Sequence, residues 1–573
     1  MKWEEPSVMI LAGLLLMQVI AGVVGNGTPR THPYSILNDP QADRSRPLNA
    51  DFDNMEVSIN ESVHIWPMPA SVSKGMAIVT LARDFAFGQA DRNQIVSATL
   101  AQAFSRYIDI IYRPHALSQV ASSLFQDSNI PVLEQLLVSL DPSTEELEFE
   151  VDESYTLKVP DPSNPSIASL QAANVYGALH GLETFSQLVS YHYSSRSLQI
   201  TRTPWIITDY PRFPYRGLLI DTSRHYQPLE SIKRVIDSMS FAKLNVLHWH
   251  IVDEEAFPIE IPSYPRLWNG AYSYKERYTT EDAAEIVEYA RARGIHVMPE
   301  LDVPGHDASW GIGYPQLWPS PQCNEPLDVS KEFTFEVIDG ILQDFRALFP
   351  FKFAHLGGDE VNTSCWEDSP SIKRWLISHN LTGQDAYASF VIRAQQIAIK
   401  HGYEPVNWEE TFNTFPSRLS KETIVHNWLE SGTCPRAVKA GLRCIVSNQG
   451  TWYLDHLDVT WDQFYMTEPL VNITDPEEQK LLIGGEVCMW GETVDASDIL
   501  QTIWPRAAAA AERLWSPLSI TQQGSSDNVL QRLQSFRCLL DGRGIAAAPL
   551  LTLSGAYAYG RVAPSEPGSC FRQ

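Results

Sequence analysis

The chain has 573 residues, of which 44% are apolar and 20% charged, with a formal net charge of −26. That balance describes a globular protein with more than one core and excludes a disordered chain. It also excludes a nucleic-acid binder, because no Lys/Arg run provides the basic face that would displace counterions.

The first 25 residues read as an export signal. From Val8 to Val24 the chain is apolar except for Gln18, with small residues at Ala21, Gly22 and Gly25. The run is short for a membrane span of about 20 residues, so cleavage near Gly25 is expected, leaving no stable membrane insertion. Glu4 and Glu5 dilute the positive flank given by Lys2, which keeps an uncleaved anchor as the alternative. Export agrees with glycosylation signals at Asn26, Asn60, Asn380 and Asn472,. Asn362 also matches the pattern but is expected to stay unmodified, two residues from Glu360. Seven cysteines form no CxxC pair. In an oxidising compartment Cys323, Cys365, Cys434, Cys444, Cys538 and Cys570 are the candidates for disulfides, leaving Cys488, in an apolar run, as the free thiol.

Residues 26–58 form a polar linker. Residues 59–207 carry strand patterns at Met76–Ala82, Leu147–Val151 and Tyr155–Val159, and helical patterns at Asn93–Tyr107 and Asn174–Ser190. Such runs predict a small α+β domain, closed by Thr203-Pro204, Tyr210-Pro211 and Phe213-Pro214,.

Residues 208–573 change to repeated strand-then-helix units of the α/β class. Apolar runs fall at Gly217–Ile220, Asn245–Ile251, Ile295–Pro299, Phe353–Leu356, Pro405–Trp408, Thr423–Trp428, Arg443–Ser447 and Leu481–Met489. Amphipathic segments such as Ser231–Ala242, Glu281–Arg293, Lys331–Leu348 and Ala386–Lys400 alternate with them, and Trp504–Leu514 and Asn528–Leu540 read as closing helices. Eight such units predict a (β/α)8 TIM barrel, with function at the strand ends. Polar and aromatic residues do gather there: Asp221, Asp253, Asp302 to His306, Asp359-Glu360, Trp408-Glu409-Glu410, Trp428, Tyr453 with Asp455, and Trp490 with Glu492.

The sharpest signal is His355-Leu-Gly-Gly-Asp-Glu360. Ordinary glycosidases set two acids on opposite sides of a bond, about 5–5.5 Å apart for retention or about 6.5–9.5 Å for inversion. Chain neighbours point different ways, so they suit separate tasks. One donates a proton to the leaving oxygen; the other grips a substrate group that is itself the nucleophile. His248 and His250 raise a second possibility, since alternate strand residues face one side and two imidazoles there can hold a metal. A sugar-binding barrel that has lost catalysis is a third.

HLGGDEVNTSCW, with RGLLIDTSRHY (Arg216–Tyr226), KLNVLHWHIVDEEAFP (Lys243–Pro258), PGH (Pro304–His306) and GGEVCMWGE (Gly484–Glu492), resembles the family 20 β-N-acetylhexosaminidases, most of all the plant vacuolar ones. The resemblance implies removal of terminal β-linked GlcNAc or GalNAc from glycans, without metal or other cofactor. Vacuolar delivery is implied, with the cell wall as alternative, as is association into a homodimer. It further implies Glu360 as general acid/base, its pKa raised by the second carboxylate, and Asp359 as the group that orients the acetamide. Tyr453 would bind the acetamide oxygen. Trp408, Trp428 and Trp490 would box the sugar, and Arg216, Asp455 and Glu492 would bind its hydroxyls. Asp253 and His306 would support the acid.

Overall fold

Eight short parallel strands close on themselves, and their register decides which side chains share each level of the interior. The computed structural model describes residues 63–91, 97–112, 130–140, 146–193, 195–429, 432–522, 526–550 and 570. The expected signal segment and linker, Asn26 and Asn60 lie outside the described residues. Residues 62–573 form one compact unit.

The first domain is a mixed six-stranded sheet of β1 (Ser71–Gln89), β2 (Val132–Leu140), β3 (Tyr155–Val159), β4 (Ile167–Ala172), β5 (Ser190–His192) and β6 (Ser197–Asp209). Its order is β1-β2-β4-β3-β6-β5, with β1 also paired to β6. Two helices, α1 (Ala98–Tyr112) and α2 (Val175–Leu188), accompany it. Asn174 begins α2 by accepting hydrogen bonds from the Tyr176 and Gly177 amides,. Thr203-Pro204 does not end this domain: β6 runs through it to Asp209. The pairing of β6 with β1 slips between Lys74 and Ala77, and such an irregularity accommodates a proline that cannot donate to the ladder. Leu147–Val151 is no strand either. Phe149 instead packs against Phe351 and Phe353 under the barrel.

The barrel strands are β7 (Tyr215–Asp221), β8 (Val246–His250), β9 (His296–Glu300), β10 (Phe353–His355), β11 (Glu404–Trp408), β12 (Ile424–Asn427), β13 (Arg443–Val446) and β14 (Leu482–Met489). They close in the order β10-β11-β12-β13-β14-β7-β8-β9, which is the TIM barrel expected. The strands are buried on both faces, with apolar residues near their starts and His, Glu or Asn ending several, as in Val246–His250, His296–Glu300 and Ile424–Asn427,. The helices between them start with clear signals: Thr279 and Thr382 form capping boxes with Asp282 and Asp385,. No described helix is long and apolar enough to cross a membrane.

The interior is layered. Tyr215, Val246, Met298, Phe353, Val406, Ile424, Ile445 and Ile483 plug the end where the strands begin. Above them His248, Glu300, His355, His426 and Glu486 form a fully buried polar layer. Leu219, Trp408, Tyr453 and Cys488, with Trp428 and Trp490, line the opposite end. The disulfides are Cys323–Cys365, Cys434–Cys444 and Cys538–Cys570, and Cys488 is the buried free thiol. Asn380, Asn472 and Asn362 are all exposed.

Arg216 is a correction. It is the second residue of β7, hence at the plugged end, and completely buried. Its guanidinium forks onto Glu153 at 2.6 and 3.0 Å and donates to the carbonyls of Phe213 and Lys243 at 2.8 Å. Burial pushes the Glu153 carboxyl up, but Arg216 and His180 outweigh it and hold it at about 2. Arg216 therefore clamps the first domain to the barrel and cannot reach a ligand at the strand ends. We expect Arg216→Met to cost about 3–5 kcal/mol by leaving the buried Glu153 carboxylate with only His180 beside it,, with Glu153→Gln in the same chain recovering much of it. Denaturant titration checks this; a single-variant loss below about 1 kcal/mol would contradict the clamp.

Candidate active site

The segment after β10 is fixed by its backbone. Gly357 and Gly358 have φ of +55° and +95°, and Glu360 (+51°) and His306 (+57°) also lie in the left-handed region. That conformation is costly for residues with a Cβ and persists where surroundings over-determine it. The Gly357 carbonyl accepts from Trp408 N at 3.1 Å and Asn407 Nδ2 at 3.0 Å, and Tyr387 donates to the Gly358 carbonyl. A Cβ on Gly357 would fall 1.8 Å from Asp302 Oδ1, so glycine there is what admits the Asp302 carboxyl, which accepts from Gly358 N at 2.8 Å.

Asp359 and Glu360 then meet His306, whose Nε2 lies 3.7 Å from Asp359 Oδ2 and 3.6 Å from Glu360 Oε2. His306 Nδ1 is 3.2 Å from Asp253 Oδ1. Burial pushes the His306 imidazole down, but Asp253, Glu360, Asp359 and Asp302 together lift it far above its ordinary value. It is an imidazolium.

Asp302 and Asp359, both beside His306, have carboxyl oxygens within 4.8 Å of one another. Burial and the Asp359 charge push Asp302 well above the carboxylate range, so Asp302 holds the proton of the pair,. Asp359 is also raised by burial, with His306 and Asp302 opposing.

Glu360 departs from expectation. Its pKa is lowered, not raised, through its contact with His306. Its side chain is 60% exposed, so water solvates its charge, and the His306 cation outweighs the burial that remains. In the open pocket Glu360 is a carboxylate.

The aromatic wall forms where the sequence places it. Trp408 is buried, stacks on His426 at 4.3 Å and donates through Nε1 to Glu300 at 2.9 Å. Trp428 lies parallel to Tyr453 at 6.3 Å, and Tyr453 and Trp408 reach Trp490 at 6.2 and 6.1 Å. Trp428 Nε1 donates to Glu410 at 3.0 Å. Burial, then the Asp359 charge, push Glu410 up to about 8.

On the other side stands Arg224, which the motif reading passed over in favour of Arg216. Arg224 contacts Asp221 at 3.0 Å, Asp253 at 2.9 Å and Glu255 at 3.1 Å, with Glu492 at 3.9 Å. Its guanidinium lies 5.3 Å over the Trp490 ring. Its signal was position: it follows β7 at the functional end, whereas Arg216 opens that strand. Asp455 is pushed by burial to about 6, and Glu492 adds to the rise. Asp359 Oδ1 and Asp455 Oδ1 are buried without any hydrogen-bond partner.

His248 and His250 each lie between carboxylates: His248 between Glu486 (2.8 Å) and Glu300 (3.1 Å), His250 between Glu300 (2.5 Å) and Asp253 (2.7 Å). Burial works against their charge, but these acids raise His248 to about 9 and His250 well above its ordinary value.

Because Glu410 stays protonated in the folded pocket to about pH 8 but ionises near 4.5 when unfolded, unfolding releases its proton between those values. Its contribution to stability is therefore lost as pH rises through that window. We expect Glu410→Gln to flatten the decline in melting temperature between pH 5 and 8.5 by a few degrees. A decline as steep as the parent's would mean that Glu410 is ionised.

Two family models match the chain: "Glycosyl hydrolase family 20, catalytic domain" over residues 213–518 and "beta-acetyl hexosaminidase like" over 65–188. The chain is 57% identical over 514 residues to Beta-hexosaminidase 3 of Arabidopsis thaliana, covering 90% of this chain and 95% of the relative. Beta-hexosaminidase 1 of the same organism is 54% identical, covering 89% and 94%. Among solved structures, a chitobiase of Flavobacterium johnsoniae superposes with a TM-score of 0.72 at 30% identity, covering 84% of this chain and 73% of that one.

Proposed function

The chain belongs to glycosyl hydrolase family 20 and is a β-N-acetylhexosaminidase, and from that premise we propose that it cleaves terminal β-linked GlcNAc or GalNAc from N-glycans or chito-oligosaccharides by a substrate-assisted, retaining route. The observation that carries this reading is the pair of orphaned acceptors. Asp359 Oδ1 and Asp455 Oδ1 are buried and unpartnered beside the aromatic wall. A buried polar atom left unmade costs stability, and an aminosugar supplies the N–H and O–H that fill both.

In this reading the acetamide sits among Trp408, Trp428 and Trp490, its N–H donating to Asp359 and its carbonyl oxygen accepting from the Tyr453 hydroxyl. That oxygen attacks C1 as the C1–O bond to the leaving group breaks and Glu360 protonates the departing oxygen. The resulting oxazolinium is positively charged, and the Asp359 carboxylate steadies it. Water then adds to C1 while Glu360 takes its proton. The two displacements restore the starting configuration. Arg224, Asp455 and Glu492 bind ring hydroxyls. Glu360 must be protonated for the first step, and a sugar that displaces water from its exposed face removes the solvation that keeps it ionised.

Delivery through the secretory pathway to the vacuole is proposed on the apolar leader, the exposed Asn380 and Asn472, and the disulfides, which suit an oxidising compartment,. The cell wall is the alternative destination.

The test compares aryl β-glycosides bearing a 2-acetamido or a 2-hydroxy group. We expect about a thousandfold or greater loss of kcat/KM without the acetamide, since an internal nucleophile carries a large effective molarity. Glu360→Gln should lose about 10²–10⁴-fold and Asp359→Asn about 10²–10³-fold. Equal rates on the two sugars would point instead to a nucleophile borne by the protein.

A further inference from the structure

Behind His306 runs a series of alternating acids and imidazoles, hydrogen-bonded except between Glu300 and His248, where the two groups meet as an ion pair. Asp253 Oδ2 is 2.7 Å from His250 Nε2, and His250 Nδ1 is 2.5 Å from Glu300 Oε2. The same Glu300 oxygen lies 3.1 Å from His248 Nε2 as an ion-pair contact without hydrogen-bond geometry. His248 Nδ1 is 2.8 Å from Glu486 Oε1, and Tyr215 donates to Glu486 Oε2 at 2.5 Å. Every one of these groups is buried, and the residues come from β7, β8, β9 and β14 and the loop after β8. We propose that His250, Glu300, His248 and Glu486 form a positioning relay that acts through Asp253 on the orientation and charge of His306, and so on proton transfer by Glu360.

The inference rests on the assignment of Glu360 as proton donor, and its physical basis is charge order. A carboxylate buried among apolar walls is neutralised unless a cation faces it. Asp253 is faced by Arg224, His250 and His306. Glu300 is faced by His248, His250 and His355, and accepts from Trp408 Nε1. Glu486 is faced by His248 and Tyr215, with His426 at 3.9 Å and the Cys488 thiol also at 3.9 Å. Burial lowers both His355 and His426, so the cations of the series are His248, His250 and His306. Asp302 and Asp359 complete the surroundings of His306. No proton leaves the series during turnover. Glu360 gives its proton to the leaving oxygen and regains one from water, while His306 stays cationic beside it. The relay keeps Asp253 anionic and its two oxygens pointed, one at His250 and one at His306.

A residue that acts through the acid affects poor leaving groups more than good ones, because a departing group of low pKa needs little protonation. His250→Gln and His248→Gln leave Glu300 and its bond to Trp408 in place. The test measures kcat/KM for a series of 2-acetamido glycosides, from dinitrophenyl to alkyl, on the full chain. We expect His250→Gln to lose about tenfold or more on alkyl leaving groups and less than about threefold on dinitrophenyl. His248→Gln should follow the same pattern more weakly. Glu360→Gln is the reference: if it shows no such dependence, the donor assignment falls. If it does and the histidine variants lose equally across the series, or not at all, the relay falls. Should the variants not fold, neutron diffraction from the unaltered protein decides, with deuterons expected on both nitrogens of His250 and His248. One deuteron on either ring would overturn the proposal.

Discussion

The pocket depends on a carboxylate that has no business being charged where it is. Glu300 ends β9 in the middle of the barrel, fully buried, and an isolated charge there would be driven to its neutral form. Three imidazoles and one indole N–H face it instead, and with that company it is held well below the carboxylate range despite burial. The arrangement has structural consequences in two directions. Through Trp408 it fixes the floor of the aromatic wall, and through His250 and Asp253 it fixes the imidazolium beside the acid. One buried anion thus sets the geometry of both halves of the site.

Layering explains how a barrel tolerates this. The apolar plug at the strand starts keeps water from entering beneath the polar level, and the aromatic level above screens it from the pocket. Space for the acids is made by small residues: a Cβ on Gly217 would meet Glu486 Oε2 at 2.4 Å. Close packing at the protein's density leaves no slack for a carboxylate otherwise.

The eight barrel strands were legible because parallel strands buried on both faces read as mostly apolar runs, and the helices between them carry ordinary amphipathic periods and caps. The first domain was less legible. Its long β6 contains a proline, which local reading takes for a boundary, and its irregular pairing is visible only once β1 lies alongside. Within the site, the strand-end rule brought together Asp253, His306, Asp359, Glu360, the tryptophans, Tyr453, Asp455 and Glu492. Arg216 was misplaced because motif matching was allowed to override that rule: an arginine opening a strand belongs to the barrel's closed end. The charge state of Glu360 was not legible at all. It depends on the contact with His306, and those residues are 54 positions apart in the chain.

Several acids in the site have fixed partners, and Glu360 does not. Asp253 is clamped by cations, Asp302 is closed against Asp359 and the Gly358 amide, and Glu410 is tied to the Trp428 indole. Glu360 has only the long contact to His306 and a largely open face. A group that must give a proton in one step and take one in the next cannot be pinned in either state, because each pin would deepen one well at the expense of the other. Rigidity is therefore spent on its neighbours. The strained backbone at Glu360 and His306 holds the two side chains opposite each other, while the carboxyl itself keeps the freedom that both half-reactions require.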